Sequence, residues 1–361
     1  MTTSALFLIY EINNEMCDIF LQKLIDNMNN LDFSYYLQPI SNNAMKNILG
    51  ENIITRTNND LNHKHNNTYI AIDLLKNRWK KKSFIVKKGY QTIYIEFNYI
   101  NKEERSSFKH IINFMMIYIH QIESLFLKSC PEFRIIFYLS DEKKRFVKQT
   151  ILNQEVIKCD NVNSGVTFFY QDLPLIVIYR KEELLKVLIH ELLHLYETHP
   201  IEQYDIYYDD YCKNNWRINR NGSLNLYEGY VETLAVIMHS FIYTYCIHKN
   251  KTTIAKIKKG INKEINYSNN LLNDIRSLQK NNYLNEETNV FSYFYVKTAL
   301  IQDLDSFFSS IDPINYCIHD NYKQSYFNNI LNRLISLKPI KQNPKNIKRT
   351  HFRMTISNVI S

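Results

Sequence analysis

Apolar and polar positions divide the chain into stretches of different character. Residues 1–75 are Asn-rich and patchy. A helix is predicted from about Glu15 to Met28, followed by polar, turn-forming sequence at Ser41–Asn43 and Asn62–Asn67. This reads as an N-terminal appendage over residues 1–80. From Ser83 the pattern is regular. Gly89–Tyr99 alternates as a strand does, and Glu103–Leu127 has helical spacing. Phe133–Leu139, Gly165–Tyr170 and Leu175–Tyr179 are short and rich in β-branched and aromatic residues, which predicts strands. Beyond Tyr179 the pattern predicts helices only, over Glu182–Glu197, Leu224–His248, Thr252–Leu278, Val290–Phe308 and Tyr322–Leu337. Sheet first and helices afterwards predict an α+β unit over 81–337 with a helical C-terminal half. A basic, non-periodic tail occupies 338–361.

Composition narrows this reading. With 361 residues, 45% of them apolar and 22% charged, the chain is globular and can bury a sizeable core. Six Gly and seven Pro exclude collagen-like and loop-dominated architectures. Heavy use of Asn, Ile, Lys and Tyr is the codon signature of an AT-rich genome. The net charge of +8 therefore carries little functional weight. Cys17, Cys130, Cys159, Cys212, Cys246 and Cys317 are far apart and form no CxxC pair, which fits reduced thiols and a cytoplasmic setting. The first apolar run is six residues long with no basic residue before it, too short for a secretory signal. The apolar stretches at Ile111–Leu127 and Leu234–Ile247 are broken by polar residues such as Glu123 and His239, so no membrane span is expected.

The chemistry is concentrated in Val177–Pro200, which contains His190-Glu191-Leu192-Leu193-His194. Helical residues four apart share a face, so His190 and His194 can direct both imidazoles at one ion. Glu191 is rotated by about 100° from His190 and suits a general base beside an open coordination position better than a third ligand. Leucine, isoleucine and valine surround these residues on nearly every side, which predicts a buried helix. Ionisable side chains there are costly unless satisfied, and a zinc ion satisfies the two histidines.

A third ligand is sought downstream. Glu197 shares the histidine face but lies about 10 Å along the helix from His190, too far for one coordination sphere. Its place and that of Pro200 exclude the extended motif with Gly three and His six residues beyond the second histidine. His199 lies past the expected helix end. The better candidates are Glu228 and Glu232, four apart on the helix expected from Leu224, with Asn221-Gly222-Ser223 as its start signal. One carboxylate can ligate while the other holds a ligand histidine. His239 is about 16 Å along that helix and reads as a packed histidine.

HELLH followed by a helical Glu-x-x-x-Glu resembles the gluzincin-type zinc metallopeptidases. More narrowly, NVNSGVTFFY, IVIYRKEELLKVLIHELLH, YEGYVETLA and NVFSYFYVK, within about 161–300, look like segments of peptidases carried by nucleocytoplasmic large DNA viruses. The resemblance implies a zincin-like fold, with a small mixed sheet beside the active-site helix. It also implies a protein or peptide substrate in the host cytoplasm or virion. It makes Glu228 the zinc ligand and Glu232 the acid that orients a histidine. Tyr293 and Tyr295 become candidates for stabilising the oxyanion, because many zincins use a Tyr or His there. Strand Gly165–Tyr170 could pair with an extended substrate, with Asn163, Ser164 and Gly165 at its entrance. The stretch between His194 and Glu228 is longer than in the shortest-spaced gluzincins.

Two other functions compete. A catalytically inactive, zinc-stabilised structural or virion protein would tolerate replacement of Glu191. A nucleic-acid-binding protein would cluster its basic side chains, and KNRWKKK at 76–82, KKR at 143–145 and the tail are basic. None of these runs is interleaved with a recognised binding motif, so nucleic acid is not the expected partner.

Overall fold

In a computed structural model of the chain, the described residues are 15–31, 34–50, 79–144, 146, 148–170, 172–196, 217–220, 226–279, 282–290 and 292–309. The strands are β1 (Tyr36–Ile40), β2 (Lys80–Lys88), β3 (Gln91–Tyr99), β4 (Glu132–Tyr138), β5 (Val156–Ile157), β6 (Gly165–Phe168), β7 (Leu175–Ile178), β8 (Ile218–Arg220) and β9 (Leu284–Glu286). The longer helices are α1 (Glu15–Asn29), α2 (Asn42–Leu49), α3 (Arg105–Phe126), α4 (Leu184–Leu195), α5 (Leu226–His248) and α6 (Ile254–Leu278). A π-helical turn at Ser292–Val296 leads into α7 (Lys297–Gln302) and α8 (Leu304–Ser309). The architecture is α+β.

Six strands form a mixed sheet in the order β1-β2-β3-β4-β7-β6. The pairs β3/β4 and β4/β7 are parallel, and the pairs toward both edges are antiparallel. β2 and β3 form a hairpin whose turn begins at Gly89, where φ is +57°, a conformation that costs glycine nothing. The central strands are buried on both faces. Ile93, Ile95 and Phe97 pack under α3, while Tyr138, Val177 and Tyr179 line the opposite face with Trp79. α3 is fixed at its start by Glu104, whose Oε2 accepts from the Ile100 and Asn101 amides at 3.1 and 3.3 Å.

Two sequence expectations need correction. The described parts of 1–80 do not stand apart. β1 completes the large sheet, and α1 packs on α3 and α8, with Phe20 stacked on Phe308 at 4.3 Å. The chain after Tyr179 is not helical throughout, because β8 and β9 join β5 in a small parallel sheet. Those strands have two or three residues each, too few for any periodicity to register. The helix expected at Tyr322–Leu337 and the basic tail lie outside the described residues.

α4 lies against the large sheet, touching β6 and β7, and is flanked by α3 and α5. Among the described residues one helix, Tyr227–Lys251, is long and apolar enough to cross a membrane, yet 78% of its most apolar window is buried. That is the pattern of a core helix.

Candidate metal centre

The sequence expectation that α4 is buried all round holds, and its functional side chains all project toward two neighbours. On one side α5 runs past it so that Lys186, His190 and His194 meet Glu232 and Glu228. His190 Nδ1 is 3.1 Å from Glu232 Oε2, and its Nε2 is 3.3 Å from Glu228 Oε2. His194 Nε2 lies 3.5 Å from the same Glu228 oxygen and 3.1 Å from His190 Nε2. Glycine makes this approach workable on the far side of α5. A Cβ on Gly229 would fall 2.4 Å from Val296 Cγ1 and 3.2 Å from the Ser292 carbonyl. Its absence lets the π-helical turn press close and brings the Tyr293 hydroxyl to 3.5 Å from Glu228 Oε2.

On the other side of α4 is β6, the edge strand of the large sheet. A Cβ on Gly165 would meet Glu191 Oε1 and Val187 Cγ1 at 2.8 Å each. Thr167 Oγ1 lies 2.8 Å from Glu191 Oε2 and 3.0 Å from the Glu191 carbonyl oxygen, so its single proton serves one of the two at a time. Asn163, Ser164 and Gly165 border a cavity of about 30 Å³ together with Lys144, Lys186 and Tyr293. That is room for about one water. Ser164 Oγ and Asn163 Oδ1 have no hydrogen-bond partner among the described residues.

Tyr295 is placed elsewhere. Its hydroxyl bonds Gln279, so of the two tyrosines only Tyr293 borders the histidines, its ring 5.9 Å from that of His190. The two residues are only two apart in the π-helical turn and diverge in direction, which the sequence does not reveal. His239 is a packed histidine, 3.4 Å from the Tyr118 hydroxyl. Glu197, His199 and Asn221–Ser223 lie outside the described residues.

No family model, curated protein or solved structure matches the chain. The chemistry of the centre is therefore read from its own atoms.

His190, His194 and Glu228 offer three ligand atoms, all within 4.8 Å of one another, that could hold a metal ion. The separations along the edges, 3.1, 3.3 and 3.5 Å, suit a small tetrahedral ion. Bonds of about 2.0–2.1 Å place tetrahedral ligands about 3.3–3.4 Å apart. The wider surroundings are charged too: Lys144 and Lys297 interact with Glu183 and Glu232, and Lys186 pairs with Glu232.

The acids and His190 shift one another's proton affinity. Burial alone would depress the His190 imidazole, but the hydrogen bonds it donates to Glu228 and Glu232, together with their charges, outweigh it and raise it to about 9. Burial would raise both Glu228 and Glu232. The two histidines instead hold Glu228 well below the carboxylate range, and Lys186 and His190 do the same for Glu232. Glu191 goes the other way: burial raises it, and the nearby histidines and Thr167 only partly offset this. Two neighbouring residues of one helix, His190 and Glu191, thus sit in opposite environments, one facing acids and one facing the sheet edge.

Proposed function

We propose that the chain is a zinc-dependent peptidase of zincin-like fold. In this reading His190, His194 and Glu228 hold the ion, and Glu191 is the general base. The observation that carries the reading is the placement of Glu191. Its carboxylate is buried beside the two histidines, accepts a hydrogen bond from the Thr167 hydroxyl on β6, and has its proton affinity raised by burial. A bound zinc would supply Lewis acidity, making water a better nucleophile and polarising the scissile carbonyl.

The rest follows from the chain's own groups. Glu191 accepts the proton from the attacking water and delivers it to the leaving amine. Tyr293, next to Glu228, donates its hydroxyl to the oxyanion as it develops. β6, at the sheet edge beside α4, offers backbone donors and acceptors to an extended peptide, with Ser164 and Gly165 next to the scissile bond. A protein or peptide substrate is the class that such an edge suits.

Cleavage of a mixed peptide library by zinc-loaded protein tests this directly. Turnover is expected to vanish on chelation and in Glu191→Gln. Equal cleavage by wild type and Glu191→Gln would remove the assigned base.

A further inference from the structure

Lys186 is one turn ahead of His190 in an otherwise apolar segment of α4. Such a lysine ordinarily turns its ammonium to water. Here the side chain is 2% exposed and donates to both oxygens of Glu232, at 2.7 and 2.8 Å. Glu232 is itself wholly buried, and its Oε2 also faces His190 Nδ1 at 3.1 Å. α4 and α5 therefore form a ladder: Lys186 meets Glu232, His190 lies between Glu232 and Glu228, and His194 meets Glu228.

We propose that Lys186 is a positioning residue for the metal centre, gripping both oxygens of Glu232 so that this carboxylate holds the Nδ1 proton of His190 and leaves Nε2 facing the ion. The metal part of this inference rests on the reading above; the anchoring is a property of the chain alone. A glutamate has three rotatable side-chain bonds, and a single contact to an imidazole does not fix them. Two short bonds from an ammonium do. Without Lys186, Glu232 is a buried charge with one fewer partner. The ring it holds can then rotate or change tautomer, and an Nε2–H would stand where the ion must bind. Outer hydrogen-bond partners of this kind typically set metal affinity by about 10- to 100-fold. The pattern is a lysine four residues before the first histidine of HExxH, matched to the second acid of Glu-x-x-x-Glu.

The test uses full-length protein and zinc alone, with a competing chelator, on wild type, Lys186→Met, Lys186→Arg, Glu232→Gln and the Lys186→Met/Glu232→Gln pair. A second readout is the ring ¹H–¹⁵N spectrum of His190 in metal-free protein, where a proton held on Nδ1 exchanges slowly. Lys186→Met should bind zinc about 10- to 100-fold more weakly and lose the protected proton. Lys186→Arg should restore most of both. Because Lys186 acts through Glu232, the double variant should be no weaker than Glu232→Gln alone. If Lys186→Met does not fold, the arginine variant and the double variant, which removes both buried charges together, carry the comparison. The proposal is overturned if Lys186→Met keeps wild-type affinity and the protected proton. It is equally overturned if the double variant is tenfold or more weaker than Glu232→Gln. A wild type with the protected proton but no zinc affinity would sink the metal reading and support the anchoring.

Discussion

Gly165 and Glu191 are in contact across the junction of β6 and α4, so close that a methyl group on Gly165 would lie 2.8 Å from a Glu191 carboxylate oxygen. The missing side chain sets how near the sheet edge comes to Glu191. Gly165→Ala should push the Glu191 carboxylate or Val187 aside. We expect kcat to fall at least tenfold while zinc binding is kept, with about 1–3 kcal/mol lost from stability through overpacking. Parallel measurement of kcat, zinc stoichiometry and the urea midpoint checks this. Loss of zinc in step with activity would mean that the substitution damages α4 as a whole.

Thr167 supplies the hydroxyl that faces the Glu191 carboxylate at 2.8 Å. Thr167→Val keeps the shape and removes that donor from a buried acid. The expected cost is about 1–3 kcal/mol in stability, together with loss of turnover. Thr167→Ser should retain both. Thermal denaturation and peptide cleavage on the two variants separate the hydroxyl from the methyl group.

Zinc should stabilise the fold, because an ion held by His190, His194 and Glu228 binds the folded chain and not the unfolded one. A ligand present at about 1,000 times its dissociation constant adds about 4 kcal/mol. Chelation should accordingly lower the thermal midpoint of wild type and leave that of His194→Ala unchanged. Equal shifts in both proteins would point to a different metal site.

Acid stability should be set on the far side of the sheet. Glu96 is buried beside Arg134 at 3.3 Å and Lys81 at 3.2 Å, and accepts from Asn98 at 3.0 Å. Burial would raise its pKa, but the two cations and the amide together lower it below 4.5. A carboxylate depressed on folding contributes stability above its unfolded pKa and loses it as pH falls through the folded value. Unfolding free energy should therefore drop below about pH 4.5 in wild type. Glu96→Gln should flatten that limb and, by stranding Arg134, cost about 3–5 kcal/mol at neutral pH. Urea titrations between pH 3 and 7 read both effects.

The sequence made the centre of the site legible because its signals are local. Two histidines one turn apart in an apolar helix, and two glutamates one turn apart in another, need no knowledge of the fold to be matched. The partners that complete the site come from packing. Lys186 has no distinguishing neighbour in the sequence, and its burial follows only from the antiparallel passage of α5 beside α4. Thr167 and Gly229 matter through contacts with Glu191 and Val296 that no spacing rule encodes. β2 escaped notice because Lys80–Lys82 and Lys87–Lys88 hide the short run Phe84–Val86 at its centre. The described part of residues 1–80 looked separate because its Asn-rich sequence hides how firmly Phe20 and Leu24 enter the core.

The central claim is that His190, His194 and Glu228 hold one zinc per chain while Glu232 serves a histidine. Its most direct test is competitive zinc titration on wild type, Glu228→Ala and Glu232→Ala. We expect one tightly bound zinc in wild type, an empty site in Glu228→Ala, and binding about 10- to 100-fold weaker in Glu232→Ala. Wild type that takes up no zinc, or Glu228→Ala that binds it as tightly as wild type, would contradict the account.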